Sequence, residues 1–195
     1  GLTLSAFSVC ILGLAVNWLS AGLLAFTIFF YAVIYTMWLK RSTPQNIVIG
    51  GAAGAVPPLV GWAAVTGGLA GEAIYMFAIV FFWTPPHFWA LALLMKDEYA
   101  KVGVPMLPVA RGERETRRQI LLYSVLLYAV TQLPFCAGGM GAFYLAASMT
   151  LGALFIAGAV VLYRRADRRS ALRLYLYSLL YLALLFAAMV IDVRI

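Results

Sequence analysis

The chain has 195 residues, of which 65% are hydrophobic and only 11% are charged. A soluble domain is nearer half apolar and a quarter charged, so this composition excludes an ordinary soluble domain and predicts an integral membrane protein. The formal net charge is +7. It predicts no nucleic-acid partner, because the cations lie in short connections between apolar segments and no nucleic-acid-binding motif accompanies them.

Seven apolar segments are each about as long as a membrane-spanning helix. They are residues 2–19, 22–38, 46–65, 72–95, 119–137, 141–163 and 172–193. The alternating pattern of a barrel strand is absent, and a helix satisfies its own backbone hydrogen bonds within lipid. The sequence therefore predicts an all-α, polytopic transmembrane bundle, in which short connections make successive helices antiparallel neighbours.

Lysines and arginines occur in alternate connections between these segments. The cationic connections contain Lys40 and Arg41, residues 96–118 and residues 164–173, and only Arg194 falls on the opposite side. By the positive-inside rule, the cationic connections are predicted to be cytoplasmic and the last helix to end on the outer side. The connection 96–118 is predicted to be the one long loop, a place where function often lies.

Two proline pairs lie inside predicted spans, Pro57 with Pro58 and Pro85 with Pro86. Proline removes a backbone donor, and membranes tolerate such breaks where a neighbour or a cavity satisfies the freed carbonyls. We therefore expect a cavity between the third and fourth spans. The spacing of the glycines at positions 50 and 54 is typical of close helix packing rather than of a ligand site.

Polar residues gather in one stretch, residues 83–99, where Asp97 and Glu98 follow the fourth span. Carboxylates in this place are suited to Mg²⁺, which prefers oxygen ligands and often shares them with substrate phosphates. Spacing alone favours the simpler alternative, an ordinary solvated acidic pair at a helix end. Three basic residues nearby are suited to neutralise a diphosphate: Lys96, Lys101 and Arg111.

The only histidine, His87, follows the second proline pair inside an apolar segment. It is either a ligand or proton carrier that faces a cavity, or a hydrogen-bonded interior histidine, and the pattern leaves both interpretations open. The neighbouring aromatic residues are suited to line an apolar pocket or to stabilise a carbocation, although interfacial anchoring accounts for most of them. They are Trp83, Phe88, Trp89 and Tyr99.

A second polar cluster lies on the same predicted cytoplasmic face and contains Lys40, Arg41 and Asn46. By themselves, the two cations indicate topology. Asn46 opens a helix after Pro44 and is predicted to cap it.

Several of these runs together resemble a known family. The runs are KRSTPQN at residues 40–46 within the longer stretch 35–62, WTPPHFWAL at 83–91 followed by Tyr99, VPMLPV at 104–109, and residues 178–186 with Asp192. They resemble the protoheme IX farnesyltransferases, also called haem O synthases, which belong to the UbiA-type intramembrane prenyltransferases. The resemblance covers nearly the whole chain.

The resemblance implies a bundle of nine spans around a central cavity, with two acidic motifs that hold Mg²⁺ and diphosphate at the cytoplasmic face. It implies transfer of a farnesyl group from farnesyl diphosphate to a vinyl group of haem B, which gives haem O for terminal oxidases. The implied setting is the cytoplasmic (inner) membrane, with haem A synthase or oxidase assembly factors as protein partners.

Residue by residue, the resemblance implies that Asp97 and Glu98 form the second acidic, metal-binding site, with Tyr99 beside them as a catalytic residue. It places His87 at the haem. It assigns substrate-binding roles at the polar rim to four further residues: Lys40, Arg41, Asn46 and Lys101. Glu98 stands where the family usually has aspartate, so which of the two carboxylates meets the metal stays open.

The family's first acidic motif is absent from the 195 residues, and seven spans stand where the family has nine. We therefore expect residues 1–195 to be a single prenyltransferase domain that lacks two N-terminal helices and is inactive alone. Two alternatives stay open: a related prenyltransferase that acts on an aromatic quinone precursor, and a non-catalytic transporter or assembly protein, for which broken helices are also suitable.

Overall fold

The computed structural model describes residues 1–193, and helices account for all the regular structure within them. This confirms the predicted all-α class. The helices are α1 (Leu2–Ala15), α2 (Trp18–Phe29), a π-helical segment (Phe30–Leu39), α3 (Asn46–Ala55), α4 (Pro57–Thr66), α5 (Gly71–Leu94), α6 (Lys96–Lys101), α7 (Leu107–Ala110), α8 (Gly112–Val130), α9 (Leu133–Cys136), α10 (Ala142–Arg165) and α11 (Arg168–Asp192).

Six segments of the described chain are long and apolar enough to cross a membrane. They are Trp18–Leu39, Asn46–Thr66, Gly71–Leu94, Gly112–Cys136, Ala142–Arg165 and Arg168–Asp192. The protein is therefore a multi-pass membrane protein.

The predicted first span over 2–19 is wrong at its end. Helix α1 stops at Ala15 after 14 residues, which is about 21 Å of helix against a hydrocarbon core of about 30 Å. The side chain of Asn17 accepts a hydrogen bond from the backbone N–H of Ser20 at 2.9 Å and donates to the carbonyl of Ala63 at 2.8 Å. This cap begins α2 at Trp18, because it satisfies an amide that otherwise has no partner in the helix.

The predicted long loop over 96–118 is also wrong, since most of it is helical. Helices α6 and α7 occupy part of it, and α8 begins at Gly112. Glu113 and Glu115 lie in the first turn of α8, where negative charge is favourable to the helix dipole. Likewise only residues 166 and 167 separate α10 from α11, so most of the basic residues between 164 and 173 lie in helix ends.

The two proline pairs have different effects. Helix α3 ends at Ala55, and α4 begins at Pro57, where the missing N–H costs nothing. By contrast, α5 runs without interruption through Pro85 and Pro86. Their missing amides leave the carbonyls of Phe81 and Phe82 without their normal helical donors.

Side-chain contacts join the end of one helix to the start of another, as expected for antiparallel neighbours. Lys96, just after α5, pairs with Glu113 of α8, and Arg168 of α11 donates to the carbonyl of Leu94. At the opposite end, the carboxylate of Asp192 accepts hydrogen bonds from the backbone amides of Gly141 and Tyr144, which start α10. The cationic connections 96–118 and 164–173 therefore meet at one end of the bundle. Arg194 lies outside the described residues.

Helices α5, α8, α10 and α11 pack together and supply most of the buried core. Its largest fully buried side chains are Trp89, Tyr144, Tyr181 and Phe155. Helix α5 also packs against α3, where Thr84 of the polar stretch 83–99 lies against Gly51.

Candidate functional site

His87 is buried on α5, with only 6% of its surface exposed. Its ring stacks between Trp83, at a centroid distance of 4.2 Å, and Tyr175 of α11, at 4.8 Å. Its Nδ1 lies 2.6 Å from Oγ of Ser178, and the indole N–H of Trp83 donates to the carbonyl of the same serine at 2.8 Å. The histidine is therefore a hydrogen-bonded interior residue whose orientation is fixed by α11.

A cavity of about 280 Å³ lies between the π-helical segment, α3 and α5. Its lining residues are Tyr31, Tyr35, Ile47, Gly50, Gly51, Gly54, Val80, Trp83, Thr84 and Phe88. It lies between the third and fourth spans, where the proline pairs led us to expect a cavity. His87 follows Val80, Trp83 and Thr84 by seven, four and three residues, so it shares their face of α5.

Glycines allow two close approaches around this cavity. A Cβ atom on Gly50 would lie 2.5 Å from the ring of Tyr35, and one on Gly51 would lie 2.9 Å from Cγ2 of Thr84. Gly54 has nothing within 4 Å of a built Cβ. The predicted packing role therefore holds for Gly50, whereas no close approach in the described chain requires a glycine at position 54.

The segment that carries Tyr31 and Tyr35 is a π-helix of 10 residues. The hydroxyl of Thr36 donates to the carbonyl of Tyr31, five residues earlier, at 2.7 Å. π-Helical turns are rare and frequently occur at functional sites. Here the rings of Tyr31 and Tyr35 lie side by side along the cavity wall, with their centroids 5.3 Å apart.

Asp97 and Glu98 are exposed in the first turn of α6. Within residues 1–193 their carboxylates have no hydrogen bond or ion pair, and no group of three or more acidic, histidine or cysteine side chains is arranged to hold a metal. Because successive residues of an α-helix lie about 100° apart, the two carboxylates diverge from their backbone positions. They can supply one or two oxygen ligands to an ion that also binds phosphate or water.

The basic residues near these carboxylates differ in availability. Nζ of Lys96 lies 3.0 Å from Oε1 of Glu113 and is already paired. Lys101 and Arg111 are exposed, which suits them better to a diphosphate. Tyr99 is half-buried and packs against the core, so it supports α6.

The second polar cluster has two exposed cations and one buried amide. Lys40 and Arg41 are exposed, and no ion pair in the described part of the chain joins either to Asp97 or Glu98. Asn46 is fully buried, and its amide donates to the carbonyl of Lys40 at 3.2 Å. The predicted cap is wrong: Asn46 is the first residue of α3, and its side chain closes the preceding turn instead.

The sequence reasoning missed the partners that hold the candidate residues in place. These partners are Ser178 and Tyr175 for His87, and Glu113 for Lys96. A serine within an apolar span was a visible signal for Ser178. Its pairing with His87, 91 residues earlier, depends on how α5 and α11 pack.

Asp167 marks the cationic end of the bundle, in the turn between α10 and α11. Its carboxylate accepts a hydrogen bond from the backbone N–H of Ser170 at 2.6 Å and caps α11. This hydrogen bond lowers the pKa of Asp167 below its ordinary value, assisted by the Ser170 hydroxyl and by the charges of Arg165 and Arg173.

Comparison with known proteins finds relatives that align with nearly the whole chain. A protein from Rhodopseudomonas palustris (strain BisB5) named protoheme IX farnesyltransferase is 59% identical over 99% of this chain and 63% of its own length. A protein of the same name from Parvibaculum lavamentivorans is 57% identical over 98% of this chain and 62% of its own length. The chain thus spans less than two thirds of these relatives.

A solved structure from a study of digeranylgeranylglyceryl phosphate synthase in membranes shares the fold. It superposes with a TM-score of 0.79 over 96% of this chain and 68% of that one, at 18% identity. The family model of the UbiA prenyltransferases matches residues 1–189. The chain therefore belongs to the UbiA prenyltransferase family.

Proposed function

We propose that the protein to which this chain belongs is a protoheme IX farnesyltransferase, which transfers a farnesyl group from farnesyl diphosphate to a vinyl group of haem B and forms haem O. The observation that carries the proposal is the 57–59% identity, over 98–99% of the chain, to relatives of that name. The arrangement of polar and aromatic groups supports the same chemistry.

The aromatic region around the cavity is suited to apolar substrate groups. Trp83, which stacks on His87, lines the cavity together with further aromatic rings and the glycine face of α3. Apolar aromatic walls disfavour water, which would protect an allylic cation from early capture, and the faces of Trp83 and Phe88 would stabilise positive charge. Haem B is bound here in the proposal, with His87 near the iron.

The exposed end of α5 and the start of α6 are suited to the diphosphate. Asp97 and Glu98 would hold Mg²⁺, since this ion is commonly bound by one or two carboxylates together with substrate phosphates and waters. When bound, the ion supplies positive charge that stabilises the departing diphosphate. Lys101 and Arg111 add direct contacts to it. Lys40 and Arg41 complete the polar rim in the proposal, and the buried Asn46 supports it by closing the turn at Lys40.

The proposed reaction balances without an external oxidant or reductant. The C1–O bond of farnesyl diphosphate breaks, and its electron pair leaves with the diphosphate. The terminal vinyl carbon of haem B then donates its π electrons to C1, which leaves positive charge on the vinyl carbon next to the ring. Water adds there and loses a proton, which gives the hydroxyethylfarnesyl group of haem O.

The charge pattern supports the proposed topology, and the resemblance supports the proposed membrane. We place the protein in the cytoplasmic (inner) membrane as one prenyltransferase domain, with the end of the bundle that carries residues 96–118 and 164–173 in the cytoplasm. Water-soluble farnesyl diphosphate headgroups then reach Asp97 and Glu98 directly. Haem A synthase or oxidase assembly factors are the proposed recipients of the product.

The test is prenyl transfer by the full-length protein in membrane vesicles, with Mg²⁺, farnesyl diphosphate and haem B. We expect a haem product that has gained one farnesyl group and one hydroxyl group relative to haem B. An aromatic quinone precursor serves as the competing acceptor. Prenylation of that acceptor alone, or no prenyl transfer to haem B, would contradict the proposal.

A further inference from the structure

The direction of the hydrogen bond between His87 and Ser178 can be inferred from a second contact of the serine. Oγ of Ser178 lies 2.5 Å from the carbonyl of Tyr175 and donates to it. A serine hydroxyl has one hydrogen, so at 2.6 Å from His87 Nδ1 the same oxygen can only accept. The proton of the neutral imidazole is therefore on Nδ1, and Nε2 has the free electron pair.

We propose that Ser178 is a positioning residue that fixes this tautomer and presents the Nε2 electron pair of His87 to a substrate. Ser178 is fully buried, so water does not compete for its hydroxyl. The rings of Trp83 and Tyr175 lie nearly parallel to the imidazole, at 17° and 25°, and prevent it from tilting. Orientation and protonation are thus set before a ligand arrives.

Nε2 lies on the opposite edge of the ring. Nε2 has no hydrogen-bond partner within residues 1–193, and it is not among the polar side-chain atoms that the protein seals from solvent. His87 shares its face of α5 with Trp83 and Thr84, which line the cavity. The edge that Ser178 leaves unprotonated is therefore the edge whose nitrogen remains available to a ligand.

The ligand class follows from the chemistry of that electron pair. Neutral imidazole nitrogen is the commonest protein ligand of haem iron, and a hydrogen bond to its other nitrogen orients the ring and raises its basicity. This assignment rests on the proposed function, which makes haem B the substrate. The role of Ser178 in selecting the tautomer is independent of it.

Nitrogen NMR of the full-length protein in nanodiscs, labelled with ¹⁵N-histidine, tests the tautomer directly. The His87 signals are identified by their loss in His87→Gln. We expect a protonated Nδ1 and an unprotonated Nε2 in the parent protein, and a shift toward protonated Nε2 in Ser178→Ala. The same tautomer pattern in both proteins would overturn the inference.

Haem titration, followed through the Soret band, tests the consequence. Loss of such a supporting hydrogen bond typically weakens metal binding about 10–100-fold, so we expect a loss in that range for Ser178→Ala, with farnesyl diphosphate binding unchanged. Ser178→Thr retains the hydroxyl and should restore both the tautomer and haem affinity.

The matched control is Ser124→Ala. Ser124 is also buried and also bonds back to a carbonyl of its own helix, that of Ile120, but has no histidine partner. Equal loss of haem affinity in both alanine variants would reduce Ser178 to a structural residue and overturn the inference. If haem does not bind at all but the tautomer changes in Ser178→Ala, the positioning role stands and the proposed function falls.

Discussion

The two halves of the candidate site are only ten residues apart along the chain, yet they are built in different ways. His87 is buried and held by a hydrogen bond and two stacked rings from α5 and α11. Asp97 and Glu98 are exposed, and no partner in the described chain constrains their carboxylates.

The difference follows from the cost of burying polar groups. A polar group inside the bundle must be satisfied by protein, so folding fixes its orientation. Exposed carboxylates are satisfied by water and pay little to reorient. The histidine half is therefore organised before substrate binds, whereas the carboxylate half takes its final geometry from the charges it binds.

The largest expected effect is a loss of turnover when a carboxylate is changed, with haem affinity retained. In the full-length protein, Asp97→Asn and Glu98→Gln should both reduce haem O formation. The variant with the larger effect should lose roughly 100-fold or more, because stabilisation of the departing diphosphate is lost. Haem affinity should stay at the parent value. The measurement is Mg²⁺-dependent turnover beside haem titration. Turnover at the parent rate in both variants would remove the carboxylates from the site.

Changing His87 should instead weaken haem binding and leave the use of farnesyl diphosphate unchanged. His87→Phe retains a ring between Trp83 and Tyr175 but removes the nitrogens, so packing is largely preserved. We expect haem affinity to fall about 10-fold or more while the KM for farnesyl diphosphate stays within twofold. Steady-state kinetics with each substrate varied in turn provides the measurement. Equal losses for the two substrates would contradict a haem-specific role.

The stability of the cavity wall near the histidine half should be sensitive to one added methyl group. In Gly50→Ala the new Cβ would lie 2.5 Å from the Tyr35 ring, and such overpacking costs about 1–3 kcal/mol. Gly54→Ala is the matched control, because nothing lies within 4 Å of its Cβ and it gains helix propensity. Thermal unfolding in detergent compares them. Equal midpoints would show that Tyr35 moves aside freely.

The stability of the carboxylate half should depend little on the ion pair between Lys96 and Glu113. The side chains of Lys96 and Glu113 are 40% and 45% exposed, so a double-mutant cycle of Lys96→Met and Glu113→Gln should give a coupling energy of about 0.2–1 kcal/mol. This coupling should decrease as salt is added. A larger, salt-independent coupling energy would mean that this end of the bundle is organised as firmly as His87.

The smallest effect concerns the cap at Asp167. Because the folded state lowers the pKa of this carboxyl, its stabilising contribution is present above the unfolded pKa of about 3.9 and is lost as the pH falls through the folded value. Asp167→Asn retains an acceptor for the cap but does not titrate. Unfolding midpoints from pH 6 to pH 3 should therefore fall slightly more in the parent than in the variant. Parallel curves would contradict the assigned cap.

Much of the fold was predictable because it depends on local properties. Apolar length predicts helices across a bilayer whatever their neighbours, and the alternating charges predict which helix ends meet. The errors were at boundaries. The start of α2 depends on Asn17 reaching across to Ala63, and α6, α7 and the beginning of α8 form from a basic stretch that has no apolar span pattern.

Candidate residues could be chosen from the sequence, but their arrangement could not. The run that contains His87, and the carboxylates after it, were recognisable as candidates from their residue types. Asn46 was recognisable too, but its predicted cap was wrong, because its amide closes the turn at Lys40.

By itself, the sequence determined the membrane class, the helices and the residues able to do chemistry, since these depend on composition and on near neighbours in the chain. Only the tertiary structure decided how those residues are used. The tautomer of His87 depends on a serine 91 residues away, and the charge of Lys96 is shared with Glu113 of another helix. Such pairings arise from packing between helices, where burial makes each polar group depend on the partner that the fold brings to it.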